Sequence, residues 1–241
     1  MAVYALDFNF TDRDYCERSA DSQLTLNNTD FTIEFWVYPR QTGAANDSIS
    51  GIISKETWPS QGCWGIYFGV YGNGSYKDRI TFIRGNTWDE YTSDSNISTN
   101  EWHHIAYTYD LSEQELKLYI DGVLDKTFTG VASPDNQSNA FYFGARMGRT
   151  DWGMDGKLDE IRISDVIRYT SNFTPKTTKF KVDGNTLALW HLDEGEGTKV
   201  YDETDNDNDL DFASSPNDPS WVVGKVQLPV SAFLNPNQFY W

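Results

Sequence analysis

The chain has 241 residues, enough for one large domain or two small ones with a proper core. Its 19 Lys and Arg against 36 Asp and Glu leave a formal charge of −17, which repels phosphate backbones and anionic membranes, so nucleic acid is excluded as an expected partner. No apolar run approaches the ~20 residues needed to span a bilayer, so no membrane insertion is expected, and a 15% share of aromatic residues speaks for a folded chain.

The predicted elements are strands throughout. Period-two segments alternate with clusters of Gly, Asn, Asp, Ser and Pro, and no stretch carries a helical period with caps. In chain order they run over 31–38, 65–70, 80–84, 102–109, 116–120, 123–128, 141–145, 158–163 and 187–192. In the first of these, Phe31, Ile33, Phe35 and Val37 alternate with Thr32, Glu34, Trp36 and Tyr38. Aromatics on both faces mark it as a central strand covered on each side. Leu116, Leu118 and Ile120 share one face of their strand. The Asp121-Gly122 that follows predicts a two-residue hairpin turn, which requires positive φ at both central positions. Alternation stops at Ile167, and a Lys-containing surface connection runs to Lys181. Residues 226–241 hold Phe233, Phe239, Tyr240 and Trp241 without periodicity and are expected to dock on the domain or on a neighbour, a route to self-association. Strands at this spacing predict an all-β, two-sheet antiparallel β-sandwich.

Cys16 and Cys63 are too few for a disulfide framework or a zinc site, and whether they pair stays open. The N-terminus, Met1-Ala2-Val3-Tyr4, shows no basic stretch followed by an apolar one, so no signal peptide is expected in it. Seven N-x-S/T triplets, at Asn9, Asn27, Asn46, Asn73, Asn96, Asn136 and Asn172, are read as chance in a chain rich in these residues.

Six segments, in order, resemble the motifs of laminin-G-like jelly-roll domains of the concanavalin A-like kind. They are Ala5-Leu6-Asp7-Phe8, the run from Phe31 to Val37, Gly51-Ile52-Ile53-Ser54-Lys55, the run from Glu101 to Ala106, Leu118-Tyr119-Ile120-Asp121-Gly122, and the run from Gly156 to Ile163. The stretch from Leu189 to Gly197, with Ser220-Trp221 and Gly224-Lys225, is similar to the strands that usually open the family's domain, yet here they come last. The resemblance therefore implies a domain over residues 1–225, with 187–225 supplying permuted closing strands, followed by the apolar tail 226–241. A cut-off second repeat is the other reading. The connection from Arg168 to Pro175 resembles a variant in phage tail proteins and large bacterial surface proteins, which implies an extracellular, cell-surface or virion setting.

Catalysis has to be tested because the superfamily includes glycosidases and lyases. Retaining hydrolysis needs two carboxylates ~5 Å apart. No Glu-x-Asp-x-Glu string lies on one strand, Asp159 and Glu160 are adjacent and point apart, and Glu113 and Glu115 flank a loop. The Arg, Gln-x-His and Tyr-x-Lys set of alginate lyases is also missing. No catalytic residue is expected, and a polysaccharide-degrading enzyme is the remote alternative. His103 and His104 fall on opposite faces of one strand and cannot chelate one metal, and the resemblance makes them structural.

Strand parity predicts Asp159 on the same side as Ile161 and Ile163, with Glu160 and Arg162 opposite and able to pair. A carboxylate on an apolar face must be hydrogen-bonded, paired or metal-bound. The resemblance implies a structural calcium between this position and the N-terminal strand, with Asp7, Asp12, Asp14 and Asp159 as its metal ligands. Asn9-Phe10 departs from the family's usual Asp-Gly, and a hydrogen-bonded Asp159 without metal is the alternative. The acidic run from Asp202 to Asp211 lacks the Gly and Glu of an EF-hand loop and reads as a polar hairpin loop.

Glycan binding would rest on exposed aromatic platforms. Trp36, Trp102 and Trp190 fall in framework motifs and are expected in the core. Trp58, Trp88 with Tyr91, and Trp152 lie in polar, loop-like surroundings and are the predicted ligand-binding residues, with loop anchoring as the alternative for each. The expected function is a non-catalytic recognition module for a glycan or surface polysaccharide. Its rival is a structural or adhesive domain of a virion tail or surface protein that assembles through its tail.

Overall fold

In the computed structural model, residues 3–42, 49–56, 63–70, 72–85, 89–146 and 152–226 are described. They form β1 (Tyr4–Phe8), β2 (Cys16–Asp21), β3 (Phe31–Gln41), β4 (Ser50–Lys55), β5 (Trp64–Phe68), β6 (Ile80–Arg84), β7 (Asp89–Thr92), β8 (His103–Asp110), β9 (Glu115–Ile120), β10 (Val123–Thr129), β11 (Asn139–Phe143), β12 (Asp155–Ser164), β13 (Thr186–Trp190), β14 (Lys199–Val200), β15 (Leu210–Phe212) and β16 (Ser220–Val223). One antiparallel sheet runs β10-β9-β8-β3-β12-β1-β16, and the second runs β14-β15-β2-β11-β4-β5-β6-β7. The chain is thus an all-β, two-sheet sandwich, as its period-two segments predict.

The alternation explains the core. Phe31, Ile33, Phe35 and Val37 of β3 face Trp64, Ile66 and Phe68 of β5 and Phe141 and Phe143 of β11 across a single buried cluster. Trp190 completes it, stacked on Phe141 at 5.5 Å and edge-on to Phe143 at 5.1 Å. Trp190 is core as expected. Trp36 is buried too, but on the other face of β3, where its indole Nε1 donates to the Lys176 carbonyl at 3.1 Å. Trp102 is only half-buried, edge-on to Tyr38.

The C-terminal segment enters both sheets. β16 pairs with β1 through Leu6 opposite Trp221, β13 pairs with β12, and β15 pairs with β2. One edge of β12 is shared in sequence: Gly156 to Leu158 meet β1, then Ile161 to Ser164 meet β13. Between them the register to β3 shifts, and Glu160 sits in the left-handed region at φ 49°. This bulge corrects the parity expectation, because an extra residue flips the faces that follow it. Leu158, Ile161 and Ile163 face the core, while Asp159 is paired opposite Trp36 and away from it. Arg162 consequently meets Glu34 rather than Glu160, with Nε 2.9 Å from Glu34 Oε1, and Glu160 meets His191 Nδ1 at 2.7 Å.

The Asp121-Gly122 turn forms as read, with φ of 51° and 79°. A Cβ on Gly122 would collide with the Phe173 carbonyl of the 165–185 connection, which crosses the outer face of this sheet. Asp121 also fixes the strand beside it: Oδ1 accepts the His104 amide at 2.8 Å and Oδ2 lies 2.8 Å from His103 Nδ1. Both histidines are therefore bound up in the framework. Cys16 and Cys63 are free and buried, and the Cys63 thiol donates to the Gln137 carbonyl at 3.2 Å.

Candidate functional site

A cavity of about 440 Å³ opens where β1 turns toward β2. Among the described residues five aspartates line it (Asp7, Asp12, Asp14, Asp155 and Asp218), with Asn9, Ser220 and a single cation, Arg40. Four parts of the chain converge there: the end of β1 and the turn after it, the end of β3, the start of β12, and the approach to β16. The last is tied down by Tyr15 donating its amide to the Asn217 carbonyl at 3.1 Å and by Asn217 Nδ2 donating to the Arg13 carbonyl at 3.2 Å.

Arg40 divides the aspartates into two kinds. Its guanidinium donates through Nε to Asp155 at 2.7 Å, through Nη1 to Asp7, and through Nη2 to the Phe8 carbonyl at 2.6 Å. Asp7 and Asp155 are thereby neutralised from within. Asp14 is not: only 5% exposed, it accepts the Asn9 amide on Oδ2 at 2.8 Å, and its Oδ1 has no partner. Burial, reinforced by Asp12, Asp218 and Asp7 and opposed by the Asn9 amide, pushes its carboxyl up to about 6.

Asp159 lies elsewhere. Fully buried, it accepts the amides of Lys225 and Val226 on Oδ2, at 2.7 and 3.0 Å. Burial, with Glu160 and Asp193 adding to it, pushes its carboxyl up to about 8. Asp7, Asp12 and Asp14 are thus brought together and Asp159 is not. Among the described residues, no three of His, Cys, Asp and Glu are gathered so as to hold a metal ion. Of the four calcium ligands that the family resemblance implies, Asp159 thus stands apart from the other three. The acidic run does not present free carboxylates at its start. Asp202 is the hub of its loop, accepting the amides of Leu189, Thr204 and Asn208 at 3.0, 3.0 and 3.1 Å.

The predicted platforms separate as well. Trp58 and Trp88 lie outside the described residues. Tyr91, on β7 opposite Phe82, is partly buried against the core, edge-on to Phe128 at 5.4 Å. Trp152 is half-buried, three residues before the cavity's Asp155. The Arg146 guanidinium lies 4.8 Å from its ring centroid and 5.5 Å from that of Tyr67. Arg146 in turn donates to Glu56 at 2.8 Å, with both side chains 1% exposed. Tyr67 belongs, with Ile49 and Ile83, to a second buried cluster on the side of its sheet away from the main core. Trp152 therefore rests on a rigid support, a cation stacked on its ring and locked by a buried carboxylate.

Arg40, Asp155 and Asp218 were not among the predicted residues. The sequence does place Asp155 at the mouth of the Gly-Lys-Leu-Asp motif. The union of Arg40 with Asp7 and Asp155 depends on β3 and β1 flanking β12, a tertiary fact.

A family model described as Concanavalin A-like lectin/glucanases superfamily, of the laminin G type, matches residues 11–170. No curated protein matches the sequence. Among solved structures, a candidate carbohydrate binding protein from Bacteroides ovatus ATCC 8483 superposes with a TM-score of 0.70 at 19% identity, covering 95% of this chain. The chain spans 62% of that protein's length. The native heptameric SAP-like pentraxin from Limulus polyphemus superposes with a TM-score of 0.53 at 11% identity, covering 88% of this chain and 96% of its own. At these identities the likeness is one of fold.

Proposed function

Because this chain belongs to the concanavalin A-like lectin/glucanases superfamily, we propose that it is a non-catalytic recognition module that binds carbohydrate. The observation that carries the reading is Trp152, a half-buried indole held over Arg146 and three residues before Asp155 of a cavity lined by polar side chains. Sugar recognition needs that combination, a flat apolar ring for the C–H face of a pyranose and acceptors for its hydroxyls. The structural neighbour described as a candidate carbohydrate binding protein supports the same reading. Such a module works where polysaccharide is met, at a cell surface or on a virion. The rival reading, assembly through the aromatic C-terminal tail, concerns residues 227–241, which lie outside the described residues.

A glycan array tests the proposal. Binding to at least one glycan class that falls on Trp152→Ala, with the thermal transition of the protein kept, is the expected result. A wild-type chain that binds no glycan, or a Trp152→Ala variant that binds as wild type does, overturns it.

A further inference from the structure

The geometry points to the Asp-lined cavity as a subsite for the ammonium group of an amino sugar, held by Asp14 with Asp12 and Asp218; this rests on the carbohydrate-binding reading above. Two independent features carry it. Among the described residues the cavity has a net surplus of anions, since Arg40 answers Asp7 and Asp155 and is the one cation of its described lining. And Asp14, 5% exposed, keeps one carboxylate oxygen without any partner. A buried acceptor left unmet costs about 1 to 3 kcal/mol, more when charged, and a donor supplied by a ligand would recover it.

The chemistry of the lining narrows the donor. Among the described residues no aliphatic or aromatic side chain lines the cavity, so that lining offers nothing to the methylene stem of a lysine or to an apolar amine. Among the described residues no three carboxylates are gathered so as to hold a metal ion. What matches is a ligand that is polar on every side, carries one positive charge and is a few hundred Å³ in size, and a deacetylated hexosamine ring has these properties. Asp155 stands three residues after Trp152, which puts charge recognition and ring stacking on one connection.

The charged groups facing Asp14 are Asp7, Asp12, Asp155 and Asp218, with Arg40. Preference for the ammonium ligand, being a charge interaction in an open cavity, should weaken with added salt.

The test is calorimetric titration of the whole chain at pH 7 with glucosamine oligomers and with N-acetylglucosamine oligomers of equal length, with calcium chloride as a separate titrant. The expected result is at least tenfold tighter binding of the deacetylated oligomer, abolished by Asp14→Asn and by Asp218→Asn. Asn at position 14 still accepts the Asn9 amide and removes a buried charge, so that variant should fold. Equal affinity for the two oligomers, no binding of either, or binding of calcium without preference for the ammonium form overturns the inference. Trp152→Ala separates the two levels: equal affinity of the wild-type chain for the two oligomers, lost with that variant, leaves the carbohydrate reading standing and overturns the cation site, whereas binding of neither oligomer and of no glycan overturns both.

Discussion

Asp159 accepts two consecutive backbone amides, those of Lys225 and Val226, through one carboxylate oxygen while its other oxygen has no partner. This ties the far end of the chain to β12. Gly224 lets the chain come this close, since a Cβ there would press on Asp159 Oδ2 and on the Tyr4 carbonyl.

The pH dependence of stability follows from that contact. Burial raises the Asp159 carboxyl from 3.8 to about 8, so between those values the folded chain holds a proton that the unfolded chain has lost. Its contribution to stability is complete below pH 3.8 and is lost as pH rises toward 8. Asp159→Asn keeps the acceptor and removes the titration. Thermal melts should show the variant more stable than wild type at pH 8, with the gap closing toward pH 4. A gap that does not change with pH contradicts this.

The pair of Arg162 and Glu34 is expected to behave as a buried ion pair does. Glu34 is fully buried, and its two oxygens take Arg162 and the Tyr169 hydroxyl, the latter at 2.6 Å. Arg162→Met leaves the carboxylate without its cation and should cost about 3 to 5 kcal/mol in denaturant unfolding. A loss under about 1 kcal/mol, the range of exposed pairs, would show that water reaches Glu34.

Gly122→Ala tests the hairpin. The position combines φ of 79° with an approach of the Phe173 carbonyl that leaves no room for a Cβ. Destabilisation of more than ~1 kcal/mol is expected from the backbone alone, with displacement of the 165–185 connection adding to it. Unchanged stability would mean that the connection gives way freely.

Free cysteines lead to a simple outcome. With Cys16 and Cys63 both unpaired, reductant should leave the melting temperature where it was. A drop on reduction, with two thiols appearing only then, would reveal a bond between them.

How far the sequence could be read depended on whether a residue's environment was set by its neighbours in the chain. The Asp121-Gly122 turn and the alternation in β3 and β9 are local, and both were legible. β2 was not: in Cys16–Asp21 only Cys16 is buried, so no alternating pattern marks the strand. The run Lys157-Leu158-Asp159-Glu160-Ile161 departs from alternation at the adjacent acids Asp159 and Glu160, which alone do not say which of them the strand turns from the core. Only the passage of one strand edge from β1 to β13 explains the bulge at Glu160 that turns Asp159 outward. The same holds at the cavity. Asp7, Asp12 and Asp14 stand out as acids near the N-terminal strand, but that Arg40 takes Asp7 out of play, and that Asp218 arrives from the far end of the chain, are consequences of topology.

The most direct test of carbohydrate recognition at Trp152 is a crystal structure with the tightest-binding oligosaccharide from the array. The account predicts a sugar ring lying on the Trp152 indole, with the chain of rings leading toward Asp14. A ligand bound at any other surface, with Trp152 bare, would contradict it.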